Sequence, residues 1–410
     1  MSGPLLRVAH PLPEAFEEML YTQPMSAADY DNISAWDDGR WNSLATLTEN
    51  ITADICVIGL GGSGLTALQV LSDANTNAVG IDARSLAAGA AGRNGGLLLA
   101  GTARFHHQTV AALGTHRAKQ LYGLTLAEID RIHASMPEAV SRSGSLRIAG
   151  SLEELQDCEQ QFQLMDEHGL PVARYAGPEG TGLLFPRDAA FNPLQRCRAL
   201  GHRLLDRGVR LFEHTRAIKL SPGRVVTERG SIDCETIIVA IDGALEQALP
   251  ELIGKVRTAR LQMLATAPTD EITITRPVYA RYGYEYWQQT PDRRLVLGGF
   301  RDAGGDAEWT DSDAPSQPVQ KKLEMFLREH LHVRAPITHR WASPVGYTPN
   351  SLPIIKEVRP RIWAVGGYNG TGNVIGALCA RAVTQQILTG ASEILPLLAT
   401  EPVNSNGSLP

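Results

Sequence analysis

The run ICVIGLGGSG, Ile55 to Gly64, decides the fold. Its first part is apolar without interruption, as suits a strand buried on both faces of a parallel sheet. Its second part places Gly59, Gly61 and Gly64 in the G-x-G-x-x-G spacing, with Gly62 as an extra glycine and Ser63 beside it. In that spacing the first glycine permits a tight turn and the second lets backbone approach a pyrophosphate. The third allows close packing of helix on strand. The next residues, SGLTALQVLSDA, carry Leu65, Leu68 and Leu71 at helical spacing. AVGIDAR, Ala78 to Arg84, reads as a second strand. Strand, glycine turn, helix and strand make a right-handed βαβ unit whose helix N-terminus faces a phosphate. Asp82 ends the second strand, where a carboxylate would bind ribose hydroxyls, and Ala83 and Arg84 follow it.

The chain around this unit has 410 residues, more than one hydrophobic core usually supports, so two domains are expected. Its formal charge of −6 and dispersed Lys and Arg argue against a nucleic-acid partner. No apolar run approaches the ~20 residues a membrane helix needs, and the N-terminus lacks the pattern of a secretory signal. The five cysteines (Cys56, Cys158, Cys197, Cys234 and Cys379) are scattered without a C-x-x-C. They predict neither a disulfide framework nor a metal site, and a reducing, cytoplasmic setting is the expectation.

An irregular arm, 1–49, holds Tyr21, Tyr30, Trp36 and Trp41. Charged helices follow residue 105, then VRLFEHTRAIKL (Val209–Leu220) as a strand, and antiparallel strands over 256–300. The pattern predicts an α/β protein in which a Rossmann-like domain (50–105, 190–255 and 340–395) interleaves with an α+β domain (106–189 and 256–339). The second domain is expected on a mixed, largely antiparallel sheet, with 396–410 as a tail.

Two further stretches name the dinucleotide. SLAAGAAGRNGG, Ser85 to Gly96, is a small-residue loop suited to threading backbone beneath a flat ring system. RIWAVGGYNGTGNVIG, Arg361 to Gly376, is again strand, glycine-rich turn and helix. With the ADICVIGLGGSGL entry after an aromatic arm, these residues resemble the D-amino-acid-oxidase-like family of FAD-dependent amine oxidoreductases. Within it they are most similar to the γ-glutamylputrescine oxidase branch. The resemblance implies FAD along Gly92, Arg93, Asn94, Gly95 and Gly96. It also implies that Gly367, Tyr368, Asn369, Gly370, Thr371 and Gly372 present a helix N-terminus to the flavin's pyrimidine edge, where negative charge accumulates on reduction. Ala217, Ile218 and Gly243 are assigned to the same site.

Flavin amine oxidation needs a C–H bond held over the flavin and an uncharged nitrogen, so the protein's task is positioning. Amino-acid oxidases of the glycine-oxidase-like branch hold the substrate carboxylate with two arginines; their positions correspond here to Val345 and Asn369. An amine or amino-acid derivative, possibly γ-glutamylated, is therefore the expected substrate. The alternatives are a D-amino-acid or glycine oxidoreductase with a relocated arginine, Arg281 or Arg301, and a non-catalytic FAD-binding subunit. In ARYGYEYWQQ, strand alternation puts Tyr282, Tyr284 and Tyr286 on one face as an aromatic wall for an amine, and Arg281, Glu285 and Trp287 on the other. His106 and His107 read as structural or surface residues. The family's covalent-flavin cysteine falls at Val345 and Gly346, which predicts non-covalent FAD. The lysine of the sarcosine-oxidase branch falls at Val296, which leaves oxygen, a quinone or a carrier as electron acceptor. The acidic loop RDAGGDAEWTDSD, Arg301 to Asp313, reads as solvated surface.

Overall fold

The computed structural model describes residues 32–398, so Tyr21 and Tyr30 lie outside the described residues. Asn50–Ile58 runs parallel to Ala78–Ile81 on one side and to Ser231–Val239 on the other. Arg210–Phe212 and Ile362–Gly366 extend this parallel core outward, and Ile354–Arg359 pairs antiparallel with the latter. The helices Gly62–Asp73 and Ile375–Thr389 pack together, with Leu65, Leu68, Leu378 and Val383 fully buried. The turn before the first helix tolerates only glycine at two positions. A side chain on Gly64 would place its Cβ 1.8 Å from the Gly59 carbonyl oxygen, and Gly59 itself sits at φ +103°.

The expected strand Val209–Leu220 is broken in two. Arg210–Phe212 sits at one edge of the sheet and Ala217–Ser221 at the other, in an antiparallel hairpin with Arg224–Thr227. The chain turns at His214, φ +50°, because Glu213 is pulled inside. Its carboxylate, fully buried, accepts from Trp41 Nε1, Ser43 Oγ, and the backbone of Leu44 and Leu86, at 2.6–2.8 Å. One buried acid thus fastens the N-terminal segment to the dinucleotide domain and leads the following residues across the strand ends.

The second sheet runs Ile337–Tyr347, Arg257–Thr266, Leu295–Gly299, Glu285–Gln289, Val278–Ala280, Ser145–Ile148, Gly180–Phe185 and Ala173–Gly177. All its pairs are antiparallel except Val278–Ala280 with Ser145–Ile148. Ile337–Tyr347 pairs along its length with Arg257–Thr266, so the chain leaves this sheet after Tyr347 and not at 340. One face buries Leu146, Leu264, Val278, Trp287 and Leu297 against Val319, Leu323 and Leu327 of the following helical segment. The other face carries a row in direct register: Trp341, Met263, Gly298, Tyr286, Tyr279 and Arg147. At the C-terminus, Leu395–Leu398 is a short helix with Leu395 and Leu398 buried, so residue 396 falls inside packed structure. Among the described residues no helix is long and apolar enough to cross a membrane.

Candidate active site

A cavity of about 1300 Å³ lies between the two sheets. That exceeds the ~300–1,000 Å³ of ordinary ligand pockets and leaves room for a dinucleotide with a second molecule. At one end it is walled by Gly59, Gly61, Gly62 and Ser63. The first helical hydrogen bond there is Leu65 N to Gly61 O, so the amides of Gly62, Ser63 and Gly64 have no acceptor within the helix. Amides in this position receive a pyrophosphate. Arg196, 6% exposed, stands beside them with Nη1 3.2 Å from where a Gly62 side chain would begin. Its guanidinium donates to Thr66 Oγ1 at 3.4 Å, and burial lowers its pKa. A buried cation with no carboxylate partner among the described residues, aimed at a glycine turn, fits a diphosphate.

Asp82 accepts from the Leu60 and Arg84 amides at 2.8 Å each, which leaves acceptor capacity for ribose hydroxyls. Burial raises its pKa and those two amides oppose the shift. Ala83, Arg84, Ala217 and Ile218 line the same end, the last two carried there by the turn at Glu213. Arg84 also reaches Asp313 at 2.7 Å.

The loop before Leu97 and the loop after Gly366 form the middle of the wall. Arg93, Asn94 and Gly95 line it, as do Gly243, Tyr368, Asn369, Gly370, Thr371 and Gly372. Gly64, Gly92, Gly96 and Gly367 do not; at each, a side chain would meet a neighbour at 2.8 Å or less, so they shape the wall from behind. The Arg93 guanidinium is spent on structure, donating to Asn32 Oδ1, the Asn32 carbonyl and the Ala342 carbonyl. Asn369, at φ +55°, accepts from Thr348 N at 2.8 Å and donates to the Gly367 carbonyl at 2.9 Å. Asp242, which the sequence reading passed over, accepts from Tyr368 N and Gly346 N at 2.9 and 3.3 Å. Burial pushes its carboxyl up to about 6, against the pull of those amides.

The other end lies under the second sheet. Tyr282, Tyr284 and Tyr286 all reach the cavity, yet they do not share a strand face. The chain turns over Arg281–Gly283, with Tyr282 at φ +57°, and strand geometry resumes at Glu285. Tyr282 and Tyr284 therefore sit exposed on a hairpin turn, while Tyr286 lies inside, packed over Gly95 and Gly298, where a Cβ would approach its ring to 2.8 and 2.4 Å. The glycine at 283 and the left-handed turn defeat the alternation. Arg281 is not on the cavity wall; it pairs with Glu285 at 2.6 Å and Asp302 at 2.8 Å. Arg301 is on the wall, over the rings of Trp309 and Tyr347.

The acidic loop is not all solvated, because Glu308 is fully buried and takes a bidentate pair from Arg260 at 2.8 and 2.9 Å. Val345 lines the cavity; Val296 does not, although it is buried on the same sheet face as Gly298, beside Gln288. His106 is buried, 3.0 Å from His168, and burial lowers it to about 4; His107 pairs with Asp157 at 3.2 Å. The sequence reading also missed Tyr279, Arg147 and Asp188, whose side chains close this end.

Residues 54–386 match the family model described as FAD dependent oxidoreductase, and the chain belongs to that family. It is an FAD-dependent oxidoreductase, and the glycine turn, Arg196 and Asp82 fit the cofactor. The chain is 26% identical over 394 residues to a γ-glutamylputrescine oxidoreductase of Escherichia coli, covering 88% of this chain and 90% of that one. Its fold resembles an L-proline dehydrogenase of P. horikoshii, with TM-score 0.69 and 17% identity over 86% of this chain and 96% of the other. It resembles a glycine oxidase of Geobacillus kaustophilus to the same TM-score, 0.69, at 18% identity over 85% and 98%.

Proposed function

We propose that the protein oxidises a C–N bond in an amine or amino-acid derivative. The observation that carries this reading is the continuity of one cavity from the dinucleotide turn, past Gly95, to the row Met263, Tyr286 and Tyr279. FAD held non-covalently by the glycine turn, Arg196 and Asp82 would supply the hydride acceptor. The substrate carbon gives up a hydride and its nitrogen a proton; water then adds to the resulting imine to release a carbonyl compound. Oxygen, a quinone or a carrier protein takes the two electrons in the second half of the cycle.

The chain's own residues position and exclude. Met263 and Tyr286 present a low-dielectric roof that favours the uncharged amine, the form whose C–H bond transfers hydride. Tyr284 and Arg301 stand at the hairpin turn on the cavity's rim. Val345 and the locked amide of Asn369 offer no charge to a carboxylate next to the reacting carbon, which supports an amine over a free amino acid. The similarity to a γ-glutamylputrescine oxidoreductase supports the same substrate class.

The test is product formation. γ-Glutamylputrescine, putrescine, sarcosine, glycine and a panel of D- and L-amino acids are incubated with the holoenzyme and an artificial quinone acceptor, and carbonyl products are trapped and identified. A carbonyl from an amine donor supports the reading, whereas turnover confined to free amino acids contradicts the amine assignment.

A further inference from the structure

Two buried arginines line the cavity without making an ion pair among the described residues. Arg196 stands at the dinucleotide turn; Arg147, 5% exposed, stands at the opposite end. The Arg147 guanidinium carbon lies over two rings, 3.9 Å from the centroid of Phe105 and 4.6 Å from that of Tyr279. Nη1 donates to Gln161 Oε1 at 3.1 Å, and buried Nε has no partner. A guanidinium fork over aromatic rings, with an unused donor, is a group that receives a carboxylate.

Asp188 lies on the same wall, 2% exposed. It accepts from Ser145 Oγ at 2.6 Å and Ala100 N at 2.9 Å, and a carboxylate has about four acceptor positions in all. Ser145 and Arg147 are two apart on one strand, so their side chains share a face. Arg147 and Asp188 make no ion pair with each other, and a ligand bearing both signs, whose ammonium draws the Asp188 carboxyl into its ionised form, would satisfy both.

The register fixes where this site stands. Arg147 is opposite Tyr279, which is opposite Tyr286, so Arg147 lies two strands, ~10 Å, beyond the residue packed on Gly95. Met263 is four strands away, ~19 Å. In a free α-amino acid the carboxylate is bonded to the carbon that is oxidised, and a molecule gripped at Arg147 would hold that carbon far from the flavin loop. A ligand serving both ends needs a spacer of about three extended residues' length, at ~3.5 Å each.

We propose that Arg147 and Asp188 form a head-group subsite for a zwitterionic α-amino-acid end of the substrate, with Arg147 taking the carboxylate and Asp188 the ammonium, while the amine to be oxidised lies beside Gly95. The substrate class is thus an amine tethered through a chain to an amino-acid head. This rests on the amine-oxidation reading and narrows it.

The test is equilibrium binding by calorimetry to the holoenzyme, independent of turnover. One probe, γ-L-glutamylbutylamide, carries the head and no oxidisable terminal amine; the other, N-butylpentanamide, has neither head charge. The wild type is expected to bind the first about 30-fold more tightly. Arg147→Gln removes most of that preference and Asp188→Asn about tenfold of it, with flavin content and Tm measured on each variant. If Arg147→Gln does not fold, Arg147→Lys decides, because losing the bidentate fork lowers the preference about tenfold. Equal binding of both probes by the wild type, or an undiminished preference in a folded arginine variant, overturns the subsite. Preferential binding without oxidation of any amine keeps the subsite and removes the proposed function; amine oxidation with equal binding does the reverse.

Discussion

The side-chain amides of Asn94 and Asn373 exchange hydrogen bonds, Nδ2 to Oδ1 at 3.1 Å and Nδ2 to Oδ1 at 3.0 Å in return. The first residue belongs to the small-residue loop after the βαβ unit, the second to the loop that opens the last long helix. Asn94 also accepts from Gly96 N at 2.9 Å, and Asn373 donates to the Leu97 carbonyl at 2.9 Å. Two loops 279 residues apart in sequence are thereby fixed relative to each other along the middle of the cavity wall.

Asn373→Ala removes this tie: the Asn94 side chain keeps only its contacts within its own loop, to Ala90, Ala91 and Gly96, and the Leu97 carbonyl loses a donor. The expected loss is about 1–3 kcal/mol, felt more in cofactor binding than in global unfolding. Titration of the apoprotein by quenching of FAD fluorescence should show affinity lowered at least tenfold, with Tm falling by only a few degrees.

Gly64→Ala should abolish FAD retention, since the new Cβ would stand 1.8 Å from the Gly59 carbonyl oxygen, a backbone atom that cannot step aside. Gly123→Ala is the matched control. That glycine lies inside the Thr115–Ser135 helix with nothing within 4 Å of an added Cβ. It should gain about 0.5–1 kcal/mol in stability and keep its flavin, read from the 450 nm absorbance per protein.

Glu213→Gln tests the buried anchor. An amide keeps one acceptor oxygen and turns its NH₂ toward a backbone or indole N–H, so at least one contact fails even if the Ser43 hydroxyl turns to accept. A loss of about 2–4 kcal/mol is expected, with early proteolytic cleavage between Trp41 and Leu47.

Asp188 carries a pH signature. Burial raises its carboxyl to about 7, against the hydrogen bonds from Ser145 and Ala100. The folded state therefore binds a proton that the unfolded chain, at about 3.9, has already released. With the native state binding more protons, stability falls as pH rises from about 4 to about 7 and is level above that. Chemical denaturation across this range should show the fall in the wild type, and Asp188→Asn should lack a part of it worth up to ~4 kcal/mol.

Much of this architecture was legible in sequence because it rests on local signals. The glycine spacing after Ile55–Ile58 and Asp82 at the next strand end are contiguous patterns, and the RNGG and GGYNGTG loops stand out by composition. What could not be read depends on chain reversals and on distant pairing. The turn at Tyr282 breaks an alternation that looks continuous, and the burial of Glu213 splits a twelve-residue stretch that reads as one strand into opposite edges of one sheet. Arg147 gave no signal in SGSLRIAG beyond being a charge in a short strand; only the register beside Tyr279 shows it as the end of a cavity row. Arg281 was the more conspicuous arginine by its setting among tyrosines, and its partners Glu285 and Asp302 take it out of contention.

The central claim is that this cavity holds an amine against FAD for oxidation. The most direct measurement is anaerobic titration of the purified holoenzyme, following the flavin band near 450 nm while amines and free amino acids are added singly. Bleaching by γ-glutamylputrescine or a related tethered amine, and not by glycine, sarcosine or simple D- and L-amino acids, is the predicted result. Reduction by free amino acids alone, or by none of these donors in a fully flavinylated preparation, would contradict it.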